Sequence, residues 1–177
     1  KILPSDGAVG ARFGSEISLS GDTLVIGARD DDDNGEGSGS AYVFILSGDT
    51  WEEQFKLVPS DGAANDLFGF KLSISGDTIL VGAMQDDDNG VDSGSAYVFV
   101  RNGDTWEEQQ KLLPSDGEEG ARFGWGVSVD GDTAFVGSMR SNHNGEYSGS
   151  TYVFTRSGDT WEEQQLLLPS DGEAGDR

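Results

Sequence analysis

The sequence predicts an all-β fold: a β-propeller segment of three blades, each a four-stranded antiparallel meander. Three observations carry this. Trp51, Trp106 and Trp161 recur every 55 residues, and Tyr42, Tyr97 and Tyr152 keep the same step. Each period holds four short β-type segments joined by turn residues. The two middle segments are apolar on both faces, so the sheet must be covered on both sides. Radial stacking of identical small sheets provides that cover. A sandwich with long crossings does not give so strict a period, and a β-helix needs a shorter one.

The first unit shows the elements in order. "RFGSEISLS" (12–20) alternates, with Phe13, Ile17 and Leu19 in one phase. "DTLVIGA" (22–28) and "SAYVFIL" (40–46) are apolar throughout. "TWEEQFKL" (50–57) alternates again, with Trp51, Phe55 and Leu57 in one phase and Glu52, Gln54 and Lys56 in the other. The polar phase suits an exposed blade edge, where charge discourages edge-to-edge pairing. The connections are "SGDT" (20–23), an acidic loop (30–38), "SGDT" (47–50) and "PSDG" (59–62). The single repeat array, 1–177, divides into blade 1 at about 12–58, blade 2 at about 67–113 and blade 3 at about 122–168. Residues 1–11 and 169–177 read as partial inter-blade linkers.

Composition bounds the partners. The formal net charge is −22 over 177 residues, and such a surface repels nucleic acid and anionic membranes. No apolar run reaches the roughly 18 residues of a membrane span, so no membrane insertion is expected. Without cysteine there is no disulfide framework and no thiolate metal site. Apolar content is only 34%, which raises disorder as an option, but the in-phase aromatics require a packed array.

The repeat resembles a known family. "FGSEISLSGDTLVIGA", "FGFKLSISGDTILVGA" and "FGWGVSVDGDTAFVGS", each followed by "SGSAYVF" or "SGSTYVF", are similar to FG-GAP repeats, the blades of integrin alpha-subunit propellers and of many microbial surface proteins. The third unit departs with Gly137-Ser138 in place of Gly-Ala, and none has the following proline. The resemblance implies an extracellular structural or adhesive module, usually of about seven blades. Family members bind calcium between strands one and two. Here that connection is only "SGDT" or "DGDT", too short to wrap an ion, so the family site does not carry over.

The acid has moved to the next loop. In an up-and-down blade the two-to-three loops (30–38, 85–93, 140–148) and the "PSDG" linkers fall on one face. An EF-hand-like reading needs oxygens at positions one, three and five and glycine at six. Asp30, Asp32, Asn34 and Gly35 fit, whereas Ala41 stands where the bidentate glutamate belongs. In unit two Gln85 takes position one, followed by Asp87, Asn89 and Gly90; in unit three it is Arg140, then Asn142, Asn144 and Gly145. The Asn-Gly-x-x-Ser-Gly frame therefore reads as structural, and the aspartates vary. Candidate calcium ligands in unit one are Asp30, Asp31, Asp32, Asp33, Asn34 and Glu36. In unit two they are Asp86, Asp87, Asp88, Asn89 and Asp92, with Asp61 and Asp66 from the linker. The expected order of Ca²⁺ affinity is unit one about equal to unit two, with unit three far weaker, because affinity rises with ligand charge. The competing reading is a solvated acidic loop.

Catalysis finds little support. His143 is the one histidine, and carboxylate pairs are too abundant to inform. The expectation is a non-enzymatic structural or adhesion module. The alternatives are a protein- or glycan-binding propeller and, behind it, a polysaccharide-active hydrolase or lyase. The repeated tryptophan is expected to pack between blades, and Phe70 and Trp125, which replace Ser15, to fill the inner region. Three periods do not close a propeller. The expected partners are therefore other blades of the same or neighbouring chains, in a larger propeller or a filament.

Overall fold

The computed structural model describes residues 1–171. It holds twelve strands in three antiparallel sheets of four, with no helix among the described residues. Blade 1 runs β1 Phe13–Ser20, β2 Thr23–Ala28, β3 Ser40–Ser47 and β4 Thr50–Leu57. Blade 2 runs β5 Lys71–Ser75, β6 Thr78–Ala83, β7 Ser95–Asn102 and β8 Thr105–Leu112. Blade 3 runs β9 Phe123–Asp130, β10 Thr133–Ser138, β11 Ser150–Ser157 and β12 Thr160–Leu167. Each sheet pairs its strands in chain order, as two-residue Gly-Asp turns with left-handed glycine allow. The linker expected over 169–177 lies partly outside the described residues.

The core lies between blades. β2 and β6 are buried along their whole length, because each sheet covers its neighbour. One face of blade 1 (Val25, Val43, Leu57) packs on the facing side of blade 2 (Phe68, Leu72, Ile79, Trp106). Leu80, Val98 and Leu112 of blade 2 then pack on Phe123, Val136 and Trp161 of blade 3. Trp106 and Trp161 are buried in these seams, and the Trp161 indole N–H donates to Gln109. Phe70 and Trp125 of successive blades meet at a ring separation of 5.0 Å. On the outer side of blade 3 the sheet is less covered: Phe135 is 41% exposed, whereas its counterparts Val25 and Leu80 are at 0%.

Backbone approach fixes the glycines before Ala28 and Ala83. A Cβ on Gly27 would stand 2.2 Å from the Gly69 carbonyl oxygen, and one on Gly82 would stand 2.1 Å from that of Gly124. Only glycine lets successive blades come this close.

One expectation about strand four needs correction. Trp51, Phe55 and Leu57 do not share a face. The β3–β4 register shifts between Val43 and Phe44, which pair with Phe55 and Glu53 and leave Gln54 as an extra residue. A bulge of one residue turns every later side chain to the opposite face. Trp51 therefore joins the cluster of Leu24, Tyr42 and Phe44, while Phe55 and Leu57 join the seam toward blade 2. Lys56, expected to point outward, lies opposite Tyr42 on the Trp51 side. The same shift recurs in β8 and β12.

Candidate functional site

The acidic loops and the "PSDG" linkers meet on one face. Asn34 donates from its side chain to the Pro59 carbonyl, 3.2 Å, and the Asn65 amide donates to the Glu36 carbonyl, 2.8 Å. The Asn-Gly-x-x-Ser-Gly frame is a structural turn. The Ser38, Ser93 and Ser148 hydroxyls accept the Asn34, Asn89 and Asn144 amides at 3.0, 3.1 and 3.2 Å. Gly35, Gly90 and Gly145 have φ of 121°, 118° and 139°, which favours glycine.

The bulge in strand four brings a lysine into the middle of the acid. Lys56 Nζ lies 2.7 Å from Asp6, 3.1 Å from Asp31 and 2.5 Å from Asp33, and 5.0 Å from the Tyr42 ring centre. In blade 2, Lys111 Nζ lies 2.9 Å from Asp61, 2.8 Å from Asp86 and 2.6 Å from Asp88, over Tyr97 at 5.1 Å. Asp31 and Asp86 form the buried floor; the linker and loop aspartates form a partly exposed rim. The Tyr42 hydroxyl bridges Asp6 and Asp31 at 2.7 and 2.9 Å, and Tyr97 bridges Asp61 and Asp86 at 2.8 and 3.0 Å. Ser40 donates to Asp31 at 2.7 Å.

The electrostatics follow from this crowding. Burial alone would lower the Lys56 pKa, but the hydrogen bonds it donates to Asp33, Asp6, Tyr42 and Asp31 outweigh it and hold the ammonium well above its ordinary value. Lys111 behaves alike, through Asp86, Asp88 and Asp61. The Lys56 and Tyr42 hydrogen bonds hold Asp6 below the usual carboxylate range. Burial would raise Asp31 and Asp61, but lysine and tyrosine, joined at Asp31 by Ser40, turn both downward. Burial and the facing carboxylates push the Tyr42 and Tyr97 hydroxyls far up, so both stay protonated donors.

The other candidate ligands are engaged separately. Asp30 pairs with Arg12 at 2.8 Å. Asp32 accepts the Gly37 amide and Asp87 the Asp92 amide, both at 2.8 Å. The Asp92 carboxylate accepts from Gln85 at 2.9 Å and faces Arg122 at 3.5 Å. Glu36 is exposed. Asp66 is buried, accepts the Ala63 amide at 2.6 Å, and is pushed up to about 6 by burial with help from the Asp86 charge. These residues do not fit a calcium ion well. Ca²⁺ needs six to eight oxygens converging on one point, and here the points of convergence hold ammonium groups. Among the described residues, no group of three or more histidine, cysteine or carboxylate side chains is arranged to hold a metal ion.

Blade 3 is built differently. Ser141 stands where Asp31 and Asp86 stand, His143 where Asp33 and Asp88 stand, and Leu166 where the lysines stand. His143 Nε2 is 2.8 Å from Asp116, which accepts from Tyr152 at 2.7 Å, and Ser141 bonds Ser150 at 2.7 Å. Sequence reasoning missed Lys56, Lys111 and the tyrosine hydroxyls. The joint replacement of lysine and two aspartates in the third unit was the signal for them.

Comparison with known proteins agrees with the three-blade geometry. The family model described as FG-GAP repeat matches residues 1–44, 51–99 and 106–154. The chain belongs to the FG-GAP repeat family. No curated protein matches it in sequence. Among solved structures, these FG-GAP repeats are similar to the crystal structure of Saccharomyces cerevisiae Sqt1, with a TM-score of 0.59 and 12% identity. The match covers 93% of this chain and 38% of that one, and at this identity it speaks to fold alone. Among the described residues no helix is long and apolar enough to cross a membrane.

Proposed function

We propose that these FG-GAP blades form a non-enzymatic, extracellular module serving structure or adhesion. The observation that carries this reading is the use made of the polar groups. The lysines and the lone histidine, which a catalytic site would deploy toward a substrate, tie a linker to a loop within the fold. Rigid ties of this kind suit a load-bearing or ligand-presenting scaffold. The family resemblance to integrin-type and microbial surface propellers supports the extracellular placement. In this proposal calcium is a loosely held counter-ion of exposed carboxylates such as Asp32, Glu36 and Asp87. It is not a structural ligand.

The test pairs binding with turnover. The immobilised chain is presented to protein and glycan arrays, and the same material is assayed on polysaccharide and chromogenic ester substrates. Binding without turnover is the expected result. Turnover that His143→Ala abolishes would overturn the non-enzymatic reading. An antibody that labels intact cells of the source would support the extracellular one, and labelling only after permeabilisation would contradict it.

A further inference from the structure

We infer that Lys56 and Lys111 are resident cations: each ammonium fills, from within the chain, the position that a metal ion would otherwise take between linker, loop and blade. Each Nζ contacts three carboxylates contributed by two separate segments, the linker before the blade and the two-to-three loop. A divalent ion would cross-link the same segments through the same oxygens. Lysine offers three donors and meets three acceptors, so its donor capacity matches the carboxylates around it.

The lysine and its aspartates are also replaced together within the one molecule. Where Leu166 replaces the lysine, the floor aspartate is Ser141 and the rim aspartate is His143. The linker aspartate, Asp116, is retained, and the histidine pairs with it. Cation and excess anions are thus present together in two blades and absent together in the third. A lysine retained only for the packing of its stem over tyrosine would not require this, since Tyr152 is present beneath Leu166 as well.

Asp31 and Asp86 are buried, and a buried carboxylate without a counter-charge is strongly unfavourable. Three carboxylates against one ammonium leave each cluster at a net −2, so loss of the ammonium leaves −3. The tie between linker and loop therefore depends on lysine and is independent of dissolved metal.

The inference is tested on the whole chain by urea unfolding at pH 7, with chelator or with millimolar calcium. The parent chain is expected to unfold at the same urea concentration in both. Lys111→Leu, which copies blade 3, is expected to raise the unfolding constant by roughly two hundredfold to several thousandfold. Adding Asp86→Ser to Lys111→Leu is expected to recover most of that loss. Lys111→Leu alone being neutral, or the two substitutions adding without coupling, would show that the lysine is only packing and would overturn the inference. A parent chain that loses stability in chelator would overturn it as well. Should Lys111→Leu not fold, Lys111→Arg and the double substitution carry the test: both are expected to fold, and failure of the double substitution to fold contradicts the inference.

Discussion

Blades 1 and 2 solve one problem with charge, and blade 3 solves it with less charge. All three must hold a "PSDG" linker against a two-to-three loop, and all three keep the linker aspartate and the tyrosine that bonds it. The first two add a buried aspartate, a rim aspartate and a lysine. The third keeps Asp116, pairs it with His143 and fills the lysine position with Leu166. The shared part is the minimal tie. The added part is a lysine together with the two aspartates it holds, and its members stand or fall together.

Removing the lysines singly should separate the blades most strongly. Lys111→Met should destabilise by about 3–5 kcal/mol, as breaking one partner of a buried pair does. Lys56→Met should cost less, since Lys56 and Asp31 are both somewhat more exposed than Lys111 and Asp86. Chemical denaturation measures both, and equal or reversed losses would contradict the burial ranking.

Asp66 sharpens the contrast from the other side, because it is a buried acid with no cation of its own beside the Lys111 cluster. Its pKa of about 6 lies above the unfolded value, so the folded state holds the proton more tightly. Its contribution to stability therefore worsens as pH rises from about 4 to 6. Asp66→Asn should stabilise by about 2 kcal/mol at pH 7, with the gain shrinking toward pH 4. Urea midpoints across that range provide the check, and a destabilised variant at pH 7 would refute the assignment.

The clusters also set the pH limits. Asp6, Asp31 and Asp61 are depressed, so their stabilisation is complete above the unfolded carboxylate range and is lost as pH falls below it. Lys56 and Lys111 are raised, so their contribution is complete below the unfolded lysine value of about 10.4 and is lost as pH rises beyond it. Stability against urea should be flat from roughly pH 7 to 10 as far as these groups are concerned. The smallest effect is expected in blade 3. His143→Ala should cost about 1 kcal/mol or less, as a partly exposed pair does, and the thermal midpoint measures it.

Much of the fold was legible in the sequence, because a 55-residue period and left-handed glycine turns admit few arrangements. The shared face of the acidic loops and linkers followed from strand alternation alone. The site was harder to see. A strict two-residue alternation sent Lys56 to the solvent, and a single extra residue at Gln54 turns it back over Tyr42. No residue type at position 54 announces a bulge, since Gln54 and its counterparts Gln109 and Gln164 are ordinary edge-strand residues. The loss of lysine at 166 together with aspartate at 141 and 143 did announce the pairing. Asp66 stood out in sequence as an acid where the other units have Ala11 and Ala121. Its burial needed the structure.

On this inference lysine, not metal, holds the acidic loops of the first two blades. The most direct measurement is the thermal midpoint of the parent chain after exhaustive chelation, compared with the same sample in millimolar calcium. The account predicts coincident transitions. A midpoint that drops on chelation and returns with calcium would contradict it.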